Sequence, residues 1–104
     1  MTITESFKNG SKVLKFKGRF DFQTRHVFQS AMEKAGKGGE RQIILHFNEI
    51  PYVDGAALGM LALMHKQLAA QNIHVTIVNP QDLVKRPLEL TKMDQYLTIH
   101  TAEE

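Results

Sequence analysis

Asp54-Gly55-Ala56-Ala57-Leu58-Gly59 decides how this chain is read. A short apolar run, Ile43 to Phe47, ends just upstream of it, and a helix-like run, Ala56 to Gln71, begins inside it. Pro51, Asp54 and Gly55 mark the turn between them. A strand that turns sharply into a helix aims the first free backbone N–H groups of that helix outward. Such a corner suits an anion or the surface of a partner. Asp54 has the residue type and position of a helix N-cap.

Downstream of the corner, Leu58, Leu61, Ala62, His65, Leu68 and Ala69 share one face of a helical wheel and form the expected core stripe. Met60, Leu63, Met64 and Gln67 fall on the other side, where a surface helix should be polar. Either a neighbouring helix covers them, or they form an exposed interaction patch to which methionine brings adaptable contact. Their closeness to the corner favours the patch.

The flanking segments build a sheet around this helix. Thr2 to Phe7 and Val13 to Lys17 alternate in polarity and read as strands, joined by Asn9-Gly10, a pair suited to a tight hairpin turn. Gly18-Arg19-Phe20-Asp21 closes that unit, and Asp21 caps a helix from Phe22 to Ala35 with Val27, Phe28, Ala31, Met32 and Ala35 on its apolar side. Gly36, Gly38 and Gly39 end it. The run Ile43-Ile44-Leu45-His46-Phe47 reads as a strand buried on both faces or nearly so. Ile73 to Val78 is another strand. Asn79-Pro80 then opens a helix, with Asn79 as N-cap and a kink or break at Pro87. Tyr96 to His100 reads as a last strand and Thr101 to Glu104 as a frayed tail. The order β-β-α-β-α-β-α-β predicts one α/β domain over residues 1–104, a mixed sheet with an N-terminal hairpin and helices packed on it.

At 104 residues with no cysteine, the chain excludes disulfides and thiolate metal sites. The N-terminus lacks the pattern of a secretory signal, and the longest apolar run, Ala56 to Met64, is far too short to span a bilayer. A cytoplasmic protein without a membrane partner is expected. The densest basic group, Lys12, Lys15, Lys17 and Arg19, has no interleaved aromatic platform. It reads as a solvated or edge-protecting strand face rather than a nucleic-acid site.

Catalytic chemistry is hard to place. Gly36-Lys37-Gly38-Gly39 ends a helix instead of opening one, so it is not a phosphate loop. The five histidines, His26, His46, His65, His74 and His100, show no i, i+4 metal spacing, although the three on strands could meet in space. No serine or threonine lies between Ala31 and Val75, so the corner offers no hydroxyl nucleophile apart from the Tyr52 phenol. No enzyme and no cofactor are expected.

Taken together, Gly18-x-Phe20-Asp21, the Ile43 to Phe47 strand and Val53-Asp54-x-x-x-Leu58-Gly59 resemble STAS domains, the anti-sigma factor antagonists related to SpoIIAA. The resemblance runs from about Val13 to His100. In that family the corner typically reads Asp-Ser-Ser-Gly-Leu-Gly, and a kinase partner phosphorylates a serine there. The pattern places Asp54 on the aspartate, Ala56 on the phospho-acceptor and Leu58-Gly59 on the closing pair. Ala56 has no hydroxyl. The resemblance thus implies a protein-interaction switch that binds a serine kinase/anti-sigma factor when unphosphorylated, locked in that state. An otherwise intact motif missing only its hydroxyl points to an engineered Ser→Ala change rather than a natural alanine. The implied contact surface is Asp54, Gly55, Ala56, Ala57, Leu58, Gly59 and Met60, with Leu63 and Met64 beside it. Two alternatives stay open. One is a regulator of biofilm or polysaccharide production under a kinase-phosphatase response regulator. The other is a STAS-type module sensing a nucleotide or lipid, which would need polar groups such as Tyr52, Asp54 and Asn48 to converge on a pocket.

Overall fold

A computed structural model describes residues 1–95 and 97–100. The hairpin forms as its turn chemistry requires. Asn9 and Gly10 both take positive φ, at 52° and 83°, and join β1 (Thr2–Lys8) to β2 (Ser11–Lys17) in antiparallel register. A short 3-10 turn, Phe22–Thr24, precedes α1 (Arg25–Gly36), so the helix expected from Phe22 starts as a tighter turn. Then come β3 (Gln42–Glu49), α2 (Gly55–Ala69), β4 (His74–Val78), α3 (Asp82–Leu90), a second 3-10 turn at Met93–Gln95, and β5 (Thr98–His100). The expected strand start at Tyr96 and the tail Thr101 to Glu104 lie outside the described residues.

The five strands lie in the order β1-β2-β3-β4-β5, with every pair after the hairpin parallel. Each crossover therefore steps in the same direction, and right-handed connections put all three helices on one side of the sheet. The core bears this out. Leu14, Phe16, Ile43, Leu45, Phe47, Val75 and Ile77 point into one cluster with Phe28 and Met32 of α1, Leu61 and Leu68 of α2, and Val84 and Leu88 of α3. The expectation of a β3 buried on both faces or nearly so holds for one face only: Ile44 and His46 stay half-buried on the opposite face, which no helix among the described residues covers.

Three further expectations change for local reasons. Asn79 takes φ 54° and does not cap α3. The cap position is Gln81, whose side chain instead donates to the Asn48 carbonyl at 2.8 Å. Pro87 does not divide α3. It removes only the amide that would reach the Leu83 carbonyl, and Leu83 is exposed, so water can take that carbonyl. Nor is β2 an edge strand. Lys15 and Lys17 are exposed, but Lys12 is buried, with its Nζ 2.6 Å from Glu5 and 3.7 Å from Glu40.

Candidate partner-binding corner

The corner is built from two strand-to-helix turns side by side. After β2, Gly18 donates its N–H to the Glu49 carbonyl and Phe20 to the Tyr52 carbonyl, so the chain runs beside the segment after β3. A parallel bridge pairs Phe20 with Val53. Beneath both turns lies a cluster of four buried phenylalanines. Phe20 stacks on Phe28 at 4.5 Å between ring centroids, and Phe47 meets Phe16 edge-on at 5.4 Å. Such aromatic pairs add directional packing to the area that they bury.

Each turn ends in an aspartate. The Asp21 carboxylate accepts from the Gln23 and Thr24 amides, and the Thr24 hydroxyl accepts from the Asp21 amide, a reciprocal capping box. The Asp54 carboxylate reaches further. One oxygen accepts from the Ala57 amide at 2.9 Å, capping α2, and the other accepts from the Phe22 amide at 3.1 Å on the neighbouring turn. The backbone bond from Ala57 is the main cause that holds the Asp54 carboxyl below its ordinary value; desolvation opposes it, and the Phe22 amide adds to the lowering.

The first turns of α2 then divide by exposure. Ala57 is fully buried and Leu58 packs partly against the core. Gly55, Ala56 and Gly59 are exposed, Met60 is half-buried, and Leu63 is 52 % exposed. The buried stripe is Ala57, Leu61, Met64 and Leu68. Two expectations are corrected by this. Met64 belongs to the core, because α1 packs on α2 there, and so does not contribute to an exposed patch. Ala69 is exposed, and Ala62 and His65 are only half-buried.

Both glycines of the corner have open space around them: a Cβ added at Gly55 or Gly59 would meet nothing within 4 Å. Neither takes a positive φ. Glycine inside a helix costs about 1 kcal/mol relative to alanine, and nothing inside this chain requires Gly59. What it does create is a low, flat surface with Ala56, on which another backbone can approach closely.

The sequence reading missed the rim of this surface. Phe22 is 55 % exposed, with the Arg25 guanidinium 3.7 Å from its ring centroid and donating to the Phe22 carbonyl. Arg19 lies over Tyr52 at 5.4 Å. The available signal was Phe22, an aromatic directly after a cap and off the apolar stripe of its helix.

Two arrangements that the sequence left open were a polar pocket and a meeting of the strand histidines. Tyr52, Asp54 and Asn48 are not brought together in any of the described grooves: one of about 840 Å³ lies between α1 and α2 with Met32, Met60, Leu63 and Gln67 among its walls. Asn48 lines a separate cleft with Lys15 and His46 on the uncovered sheet face. Among the described residues no group of three or more His, Cys, Asp or Glu can hold a metal ion, and His74 bonds instead with Thr98 at 3.0 Å. No helix among them is long and apolar enough to cross a membrane.

Comparison with known proteins gives the family. The STAS domain model matches residues 2–104. This chain is a STAS domain. It is 27% identical over 99 residues to a STAS-domain containing protein of Pseudomonas aeruginosa (strain UCBPP-PA14), covering 95% of this chain and 97% of that protein. Among solved structures, a candidate anti-sigma factor antagonist from Thermotoga maritima superposes with a TM-score of 0.87 at 19% identity, covering 96% of this STAS domain and 86% of that chain. SpoIIAA, an anti-sigma factor antagonist, superposes with a TM-score of 0.79 in its unphosphorylated form at 16% identity, over 99% of this chain and 90% of its own. Its phosphorylated form from Bacillus gives 0.73 at 15% identity, over 99% of this chain and 93% of its own. The fold is that of the SpoIIAA-like antagonists.

Proposed function

We propose that this STAS domain binds a serine kinase/anti-sigma factor through the exposed face Gly55-Ala56-Gly59-Leu63, in the state that corresponds to an unphosphorylated antagonist. The observation that carries this reading is Gly59: an exposed helix glycine that the chain's own packing does not require, next to an alanine at the position the family pattern gives to the phospho-acceptor. Asp54 holds the face in place, and Met60 and Leu63 supply its apolar contact. Ala57, Leu58 and Met64 act from beneath, by setting the helix on the core. A phosphate at position 56 would add about −1.5 to −2 charges to a surface that a partner must cover, and that repulsion would be the switch. Ala56 carries no such group and keeps the domain competent to bind. The reading places the protein in the cytoplasm, acting by binding rather than catalysis, with neither nucleic acid nor membrane as its partner.

The test is phosphate transfer. Incubated with its serine kinase/anti-sigma factor and ATP, the Ala56→Ser variant gains one phosphate and the unsubstituted chain gains none. Phosphate on the unsubstituted chain, or its absence from the variant, would refute the assignment of position 56. A regulator of biofilm production working through a kinase-phosphatase response regulator would use the same face, and the identity of the kinase that modifies Ala56→Ser separates the two.

A further inference from the structure

We infer that β1 is a self-pairing edge, through which two copies of this chain join their sheets antiparallel in a register centred on Glu5. Its outer backbone has no partner strand among the described residues, because β1 ends the sheet beyond β2. The hairpin shows which backbone groups are free. With a two-residue turn at Asn9-Gly10, Lys8 and Ser11 form the closing pair, which exchanges both of its hydrogen bonds. Alternation along the strand then turns the groups of Thr2, Thr4, Ser6 and Lys8 toward β2. Those of Ile3, Glu5 and Phe7 face outward.

Natural edges are usually guarded by proline, by bulges, by lysines or by being short. This edge runs seven residues in unbroken register, contains no proline, and has one lysine, at its end. Its one inward-side charge, Glu5, is already matched: Lys12 lies 2.6 Å away, and its hydrogen bond holds the Glu5 carboxyl below the ordinary range. The apolar residues complete the match. Phe7 is 63 % exposed, and Ile3 is half-buried at the margin of the core. Both lie on the helix side of the sheet, level with Lys12 and Phe16.

Only one register satisfies all of this. Centred on Glu5, it sets Ile3 of each copy against Phe7 of the other and pairs all three outward-facing residues of both strands. Centred on Thr4, it leaves Phe7 past the end of the second strand; centred on Ser6, it leaves Ile3 opposite the turn. The product is a ten-stranded sheet about a two-fold axis normal to it. Both helix layers lie on one side, and the two partner-binding corners face opposite ends. The contact is smaller than a standard interface, so association is weak and concentration-dependent.

The chain has no cysteine, so single-cysteine variants report the register directly. Sedimentation velocity over roughly 1 µM to 1 mM, the span of weak association, is expected to show the mass doubling. Phe7→Glu, at a site exposed enough to keep the fold, should stay monomeric. Under diamide, Glu5→Cys should cross-link faster than Thr4→Cys or Ser6→Cys, since only residue 5 meets its own copy, at about 5.5 Å between Cα atoms, within disulfide reach. An unsubstituted chain that stays monomeric over the whole range overturns the inference, and needs no variant to fold. Faster cross-linking at residue 4 or 6 overturns the register.

Discussion

The two turns of the corner use the same residue for different ends. Asp21 fastens only its own turn, receiving two amides of that turn, with Thr24 completing the box. Asp54 fastens two elements, taking one amide from α2 and one from the turn at Phe22. Their surfaces differ in the opposite sense. The Asp21 turn is dressed with Phe22 and Arg25, and Arg19 lies over Tyr52 just ahead of Asp54, whereas the first turn of α2 after Asp54 exposes only Gly55 and Ala56. The bare turn is therefore held from outside its own element and keeps its outer face clear. This is the arrangement expected of a surface that another protein must cover closely.

Asp54→Ala is the strongest way to break this contrast. Losing a cap and a cross-link together should cost about 2 kcal/mol in chemical denaturation, and amide exchange should speed up at both Ala57 and Phe22. Asp21→Ala should cost about 1 kcal/mol, the ordinary value of one cap, with faster exchange at Gln23 and Thr24 and little change at Ala57. If the two variants loosen the same amides, the difference between the turns is lost. Gly59→Ala should stabilise the fold by about 0.5–1 kcal/mol, because its helix gains propensity and the new methyl has open space. It should also weaken partner binding. Better stability with unchanged binding would remove Gly59 from the contact.

The smallest effect is on acid stability. The Asp54 carboxyl lies lower in the folded chain than in the unfolded one, so its contribution is present above the unfolded value, about 3.9, and is lost as pH falls through the folded value. Glu5 is shifted in the same direction by Lys12. In Asp54→Asn the fall in stability below about pH 4 should become shallower without vanishing. An unchanged acid limb would mean that the Asp54 carboxylate is not held as described.

Much of this was legible in the chain itself. The element order, the Asn9-Gly10 hairpin and both aspartate caps follow from local chemistry that packing does not override. The phase of α2 was not legible. Its first turns are apolar on every side, so periodicity cannot choose between Leu58 and Ala57, or place Met64. The choice is made by Asp54 reaching across to Phe22, and by α1 packing so closely that Gly36 leaves only 3.0 Å between a notional Cβ and Leu68. The uncovered face of β3 was hidden for a similar reason. Its burial depends on all crossovers running one way, which no single strand records. Phe22 and Arg25 joined the site only because Asp54 ties their turn to α2, 32 residues away in sequence.

In the proposed function, the face at Ala56 binds its partner because it is bare and uncharged. Calorimetric titration of the serine kinase/anti-sigma factor with the unsubstituted domain and with Ala56→Glu tests this most directly. The first is expected to bind and the second to lose at least about tenfold in affinity, some 1.4 kcal/mol, with unfolding of the variant unchanged. Equal affinity for the two would contradict it.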